Sequence, residues 1–195
     1  MILYISVILI CMLIIATFNV VFNFYELTPT YILLSVLIDT VAVIAVDGLF
    51  AFLIRRLPEK WFSHDKKIFA VSKKEKSFYE KLKIRKWKDK IPELGSFTGF
   101  HKNKVVNPFD NTYLSRYLLE AGYGIVIHFV TAFTGFLIVF IHPLGLWLNF
   151  AFGVAIVNFI LNLLPVFVLR YNYYKLKVLY TSNEKKQREK QYAIA

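Results

Sequence analysis

The sequence contains a single cysteine, Cys11, set inside an apolar run, so an intrachain disulfide and a disulfide-stapled scaffold are excluded. Charge is scarce too: 19% of the residues are Asp, Glu, Lys or Arg, where soluble domains carry roughly a quarter. There is no glycine-rich phosphate loop, no GxSxG or HExxH motif, and no segment repeats at a fixed period. His64, His101 and His142 have no partners at ligand spacing, which argues against a metal site. Lys and Arg are missing altogether from residues 1–54 and 121–169.

What is present is apolar. Hydrophobic residues make up 57% of the 195, and aromatic residues 17%. Leu, Ile, Val and Phe are too plentiful for a disordered chain, and a soluble fold of this composition would leave much apolar surface in water. A membrane protein is expected. A helical span needs about 20 apolar residues, and residues 2–22, 31–54, 122–141 and 144–169 meet that requirement. The first has no basic residue ahead of it and outlasts the apolar core of a signal peptide, so it is expected to be a retained helix.

The connections set the orientation. The short ones, residues 23–30 and His142 with Pro143, carry no basic residue. Residues 55–121 carry 17 Lys and Arg against 8 Asp and Glu, and residues 170–195 carry 7 against 2, which accounts for all 24 basic residues. Cytoplasmic loops collect Lys and Arg, so both termini are expected in the cytoplasm of a multi-pass protein of the cell membrane. The expected fold is all-α: one membrane domain over residues 1–195, built as a four-helix bundle with a basic cytoplasmic segment, residues 55–121, between helices 2 and 3. Residues 182–191 are expected as a solvated helix end or a frayed tail. The net charge of +11 then faces the anionic headgroups of the bilayer. Nucleic acid is not an expected partner, because no helix-turn-helix, RNP or zinc spacing is present.

Within the cytoplasmic segment, Pro58 ends the second helix, Arg55 and Arg56 reach toward headgroups, and Trp61 suits the interface. Residues 73–91 are expected as a helix, with Phe78 and Leu82 four apart and Ile84, Trp87 and Ile91 at spacings of three and seven. These two apolar groups do not share a stripe, so the helix is bent or covered on two sides. Its alternation with lysines fits a basic amphipathic helix lying on lipid. Pro92, Gly95 and Gly99 then mark a loop able to approach a ligand closely.

Polar groups at membrane depth cost about 2.5–3.5 kcal/mol when ionisable and mark functional sites. The second span holds Asp39 and Asp47, the third His128 with Glu120 at its entrance, and the fourth Asn149, Asn158 and Asn162. Asp47 lies eight residues before Arg55, His128 eight after Glu120, and Asn162 eight before Arg170. All three are therefore expected about 12 Å below the cytoplasmic boundary, in one layer of the bundle. A histidine beside an acid can take a proton from a hydroxyl while the carboxylate fixes its tautomer. The asparagines fit interhelical hydrogen bonds. Gly122 and Gly124 leave the helix entrance near Glu120 free of bulk, enough to admit a chain or headgroup.

The run Arg85, Lys86, Trp87, Lys88, Asp89, Lys90, Ile91, Pro92, followed by Gly95, Phe97, Gly99, Phe100 and Lys102, resembles the RKWKxK(I/L)P motif and glycine loop of the glycosyl-4,4'-diaponeurosporenoate acyltransferases. Arg56, Leu57, Pro58 and Phe62 resemble the same family's upstream R-(I/L)-P segment. Glu120 with His128 resembles its glutamate and membrane histidine, and Asn162 with Arg170, Tyr171 and Asn172 its closing segment. The chain departs from that pattern at Tyr173, Tyr174 and Lys175, and Asp39 and Asp47 have no counterpart in it. The resemblance implies transfer of a fatty acyl group to a sugar hydroxyl of a glycosylated C30 carotenoid acid.

The expected enzyme is thus a membrane-bound glycolipid O-acyltransferase in which His128, aided by Glu120 or Asp47, is the base. Arg85, Lys88 and Arg170 are candidates for an anionic donor head, Trp87 for stacking on the sugar, and Asn162 and Asn172 for further substrate contacts. No tightly bound cofactor is expected; acyl-coenzyme A or a carrier-linked acyl group is the co-substrate. A non-enzymatic membrane scaffold, or an enzyme like the membrane reductases and methyltransferases, are the alternatives.

Overall fold

The computed structural model describes residues 2–22, 26–91, 105–140 and 149–194. The glycine loop of residues 92–104, with Pro92, Gly95, Phe97, Gly99, Phe100, His101 and Lys102, lies outside the described residues, as do Asn23, His142 and Pro143. Among the described residues the regular structure is all helical, with no strand. The helices are α1 (Ile2–Val21), α2 (Pro29–Arg55), α3 (Lys73–Lys81), α4 (Ile84–Trp87), α5 (Asn111–Thr134) and α6 (Ala151–Ile194). Short 3₁₀ turns occupy Glu59–Trp61, Lys67–Phe69 and Lys88–Lys90, and a longer one, Gly135–Phe140, continues α5.

Three helical stretches are long and apolar enough to cross a membrane: Pro29–Arg55, Asn111–Phe140 and Ala151–Ala193. The first helix is apolar too, but shorter over Ile5–Val21. These lengths fit a membrane protein, and so does the surface. Leu9, Leu13, Ile14, Leu33, Ile38 and Val41 are all exposed along α1 and α2, where water would oppose them and acyl chains would not.

The chain forms two units, residues Met1–Arg55 with Ile127–Leu164 and residues Arg56–Val126 with Pro165–Ala195. In α6 the change falls at Pro165, where the helix lacks a backbone N–H donor. The first unit is organised around Ala16, Ile32, Val36, Val43, Ile138, Phe150, Ala151, Val154 and Ala155. Small residues at 151, 153 and 155 let neighbouring elements approach; a Cβ at Gly153 would only touch Ile15, at 3.6 Å. Asn19 ties α1 to the chain just before α6, its amide donating to the carbonyls of Ile15 (2.8 Å) and Asn149 (2.9 Å).

In the second unit Tyr79, Ile84, Val168 and Tyr171 form one buried cluster, with Val71, Trp87, Ile91 and Phe167 packed against it. Ser72 caps α3 by accepting from the Glu75 N–H at 3.1 Å, which gives the helix a fixed start. The helix expected over residues 73–91 is two helices: Lys83 takes a left-handed conformation (φ 53°) between α3 and α4. A continuous helix cannot point both apolar groups inward, and the break lets Ile84 become fully buried beside Tyr79. The third span, expected from residue 122, belongs to a helix that starts at Asn111, because Asp110 caps it through the N–H groups of Thr112 (2.8 Å) and Tyr113 (3.1 Å). The fourth, expected to end at residue 169, continues as helix through residues 182–191 to Ile194.

Candidate functional site

The polar site is built in the first unit from α2, α5 and α6, whose apolar spans leave few polar groups to choose from. Asp47 on α2 is held by two amides of α6. Asn162 Nδ2 donates to Oδ2 at 3.0 Å and Asn158 Nδ2 to Oδ1 at 3.4 Å. Asn158 and Asn162 are one helical turn apart, so both face the same carboxylate, and Asn162 Nδ2 also lies 2.9 Å from Asn158 Oδ1.

On the other side of that amide, Asn162 Oδ1 lies 2.9 Å from His128 Nδ1. Because Asn162 presents its NH₂ to a carboxylate, its oxygen faces the ring, and Nδ1 must carry the proton it donates. The lone pair is thereby assigned to Nε2. Thr131, three residues along α5, places its hydroxyl 3.0 Å from the same Asn162 oxygen and 2.9 Å from the Ile127 carbonyl, so its one proton chooses between them. Asn158 and Asn162 are both 7% exposed, whereas His128 and Asp47 are each partly exposed. The two amides are sealed in, while the carboxylate and the imidazole each keep exposed surface.

Gly135 permits this packing. A Cβ there would overlap the Asn158 amide nitrogen and come within 3.1 Å of Val43 Cγ2. Chemically the arrangement is a carboxylate polarising an amide that fixes and polarises an imidazole. Such a chain strengthens each bond in turn and makes Nε2 a better proton acceptor.

In the second unit Glu120 pairs with Arg116 at 3.1 Å, and Arg116 also holds Glu59 at 2.9 Å. Arg170 is turned into the protein rather than outward. Its Nε and Nη2 donate to the Glu75 carboxylate, Nη1 to the Ile68 carbonyl (2.9 Å) and Nη2 to the Ala70 carbonyl (3.2 Å). Partial burial opposes ionisation of Glu75, but hydrogen bonds from Arg170 and from Tyr79 (2.5 Å) outweigh it and hold the carboxyl below its ordinary range. Trp87 is half-buried against the core and donates from Nε1 to the Leu82 carbonyl at 3.0 Å. Arg85 is exposed, Lys88 pairs with Asp89 at 3.3 Å, and Asn172 is partly buried.

Of the residues singled out from the sequence, the structure brings Asp47, His128 and Asn162 together and leaves Glu120 in the other unit with Arg116. Arg85, Trp87, Lys88, Arg170 and Asn172 all lie in that second unit. Sequence reasoning missed Thr131 and the clamping role of Asn158, although their spacings, three from His128 and four from Asn162, were the available signal. It also missed Glu75, 95 residues from Arg170, for which no local signal exists. Among the described residues no group of three or more His, Cys, Asp or Glu gathers as metal ligands would.

A family model described as glycosyl-4,4'-diaponeurosporenoate acyltransferase matches residues 58–182, more than half of the chain. Neither the curated proteins nor the solved structures give a match.

Proposed function

We propose that this chain, which belongs to the glycosyl-4,4'-diaponeurosporenoate acyltransferase family, moves a fatty acyl group onto a sugar hydroxyl of a membrane glycolipid such as a glycosylated C30 carotenoid acid. The observation that carries the reading is the chain of contacts from Asp47 through Asn162 to His128, at 3.0 and 2.9 Å. His128 Nε2 accepts the proton of the sugar hydroxyl as its oxygen attacks the acyl thioester carbonyl. The tetrahedral intermediate collapses, the C–S bond breaks, and the imidazolium returns the proton to the leaving thiolate. Asp47, acting through Asn162, holds the required tautomer and steadies the imidazolium; Glu120 is engaged by Arg116 and is not assigned this role.

The donor is acyl-coenzyme A or a carrier-linked acyl group, met by the exposed Arg85 and by Lys88. Arg170 acts by fixing the segment that presents them, Trp87 is the candidate for stacking on the sugar, and Asn162 and Asn172 are candidates for further substrate contacts. The protein sits in the cell membrane with four spans, α1 being the fourth, and with both termini in the cytoplasm, as the one-sided distribution of Lys and Arg supports.

The test compares lipid extracts of cells with and without the protein by mass spectrometry, together with a His128→Ala variant of verified membrane insertion. A glycolipid is expected to gain the mass of an acyl chain with the native protein and not with the variant. Undiminished acylation by His128→Ala would remove the base assignment, and no acyl-shifted lipid at all would remove the reaction.

A further inference from the structure

Within the second unit, residues 61–82 carry four large apolar side chains that its own core does not cover: Trp61 (54% exposed), Ile68 (67%), Phe78 (47%) and Leu82 (39%). Their height along the long helices is fixed by contacts. Arg170, the first basic residue after the apolar stretch of α6, donates to the Ile68 carbonyl at 2.9 Å, and Phe78 meets Phe167 edge-on with ring centres 5.9 Å apart. Ile68 and Phe78 therefore lie where α6 passes from apolar to basic. Next to Trp61, Phe62 stacks on Tyr123 of α5 at 3.9 Å, near the start of that helix's apolar stretch. That level is where hydrocarbon gives way to headgroups in a bilayer.

Lysines are interleaved with these side chains. Lys67 adjoins Ile68, and on α3 Lys74 and Lys81 share the outward face with Phe78 and Leu82; all three lysines are exposed. The acids between residues 59 and 89 each have a cation partner: Glu59 has Arg116, Asp65 has Lys177 (3.4 Å), Glu75 has Arg170, Glu80 has Lys76 (3.7 Å) and Asp89 has Lys88 (3.3 Å). The face is thus positive and its apolar anchors stand singly between cations. That pattern is the one of an interfacial amphipath; a protein-binding surface concentrates its apolar residues at the centre and is depleted in lysine. The clamp of Arg170 on residues 68, 70 and 75 also makes the platform rigid before anything docks, which lowers the ordering cost of docking.

We propose that this face docks on the anionic bilayer leaflet, with Trp61, Ile68, Phe78 and Leu82 entering the headgroup boundary and Lys67, Lys74 and Lys81 pairing with acidic phospholipid headgroups. The inference is independent of the chemistry at His128. The test reconstitutes the full chain in nanodiscs of phosphatidylcholine with or without phosphatidylglycerol and follows backbone hydrogen exchange over residues 66–86. Phosphatidylglycerol is expected to slow exchange there, and raised salt to reverse the effect by screening. The K67E/K74E/K81E variant is expected to lose about fivefold in lipid affinity per lysine, about a hundredfold together, which abolishes the protection. Unchanged exchange over residues 166–180, which belong to the same unit, verifies that this variant is folded, and the milder K67Q/K74Q/K81Q variant and the salt series on native protein decide the matter if it is not. Equal exchange in both lipid compositions, or protection that survives the substitutions and salt, would overturn the proposal. Protection by heparin but not by phosphatidylglycerol would assign the face to a soluble polyanion and overturn it as well.

Discussion

Replacing Asp47 by asparagine keeps the side-chain volume and removes only the charge and one acceptor, so it isolates what the carboxylate does for His128. In the native arrangement both oxygens accept, from Asn162 at 3.0 Å and from Asn158 at 3.4 Å. The substituted amide has one oxygen and will turn it toward the shorter contact, leaving its NH₂ opposed to the Asn158 NH₂. The bond to Asn162 falls from the charge-assisted range of about 1.5–3 kcal/mol to the neutral range of about 0.5–1.5 kcal/mol, and the opposed donors cost about 1 kcal/mol more. A stability loss of about 2 kcal/mol is expected. Only the first part reaches His128, through the weakened polarisation of Asn162. Acyl transfer should therefore slow by about 1–2 kcal/mol, roughly five- to thirtyfold, against about a hundred- to ten-thousandfold for loss of the base itself in His128→Ala. The assay is acylated product per unit of inserted protein, by mass spectrometry of membranes. A double variant joining Asp47→Asn to Asn162→Ala should be no slower than Asn162→Ala alone, because both act on one chain of contacts. Full activity of Asp47→Asn would refute the coupling of the carboxylate to the imidazole. A loss equal to that of His128→Ala would refute its acting through Asn162 and would place Asp47 on the reacting atoms.

Gly135→Ala should push the Asn158 amide out of its place and cost about 1–3 kcal/mol, seen as a lower melting midpoint in detergent together with reduced product; a neutral outcome would mean that Asn158 does not need its present position. Glu75 gives a pH signature. Its folded-state pKa is depressed by Arg170 and Tyr79, so the stabilisation it supplies is complete above the ordinary carboxylate pKa and is lost as pH falls through the lower folded value. Limited proteolysis of residues 56–91 should thus be constant from neutral pH to about 5 and accelerate in stronger acid. Glu75→Gln should be cut faster already at neutral pH and respond less to acid, and native-like resistance of that variant would remove the Arg170–Glu75 pair from the account.

Much of the architecture is written locally. The apolar runs are properties of consecutive residues, so the helices α2, α5 and α6 follow from hydrophobicity and length. The confinement of all Lys and Arg to residues 55–121 and 170–195 is likewise a one-dimensional fact. Even part of the site was legible: equal offsets of Asp47 from Arg55, His128 from Glu120 and Asn162 from Arg170 put the three at one expected depth, since the rise per residue is the same in every helix. The pattern of residues 85–91 and 162–172 carried the family, and the match over residues 58–182 agrees.

Tertiary structure decided what depends on rotation about the helix axis and on partners far along the chain. Depth gives no azimuth, so only the packed helices show that Asp47 meets Asn162 rather than His128 directly, and that Asn158 completes the clamp. The split at Lys83 follows from a core that needed Ile84 more than helix continuity. Arg170 looked from the sequence like a cation waiting for an anionic substrate, and the fold gives it Glu75 instead, 95 residues away. A charged group chooses its partner by where the backbone carries each candidate, and that information resides in the packing of distant segments rather than in any stretch of sequence.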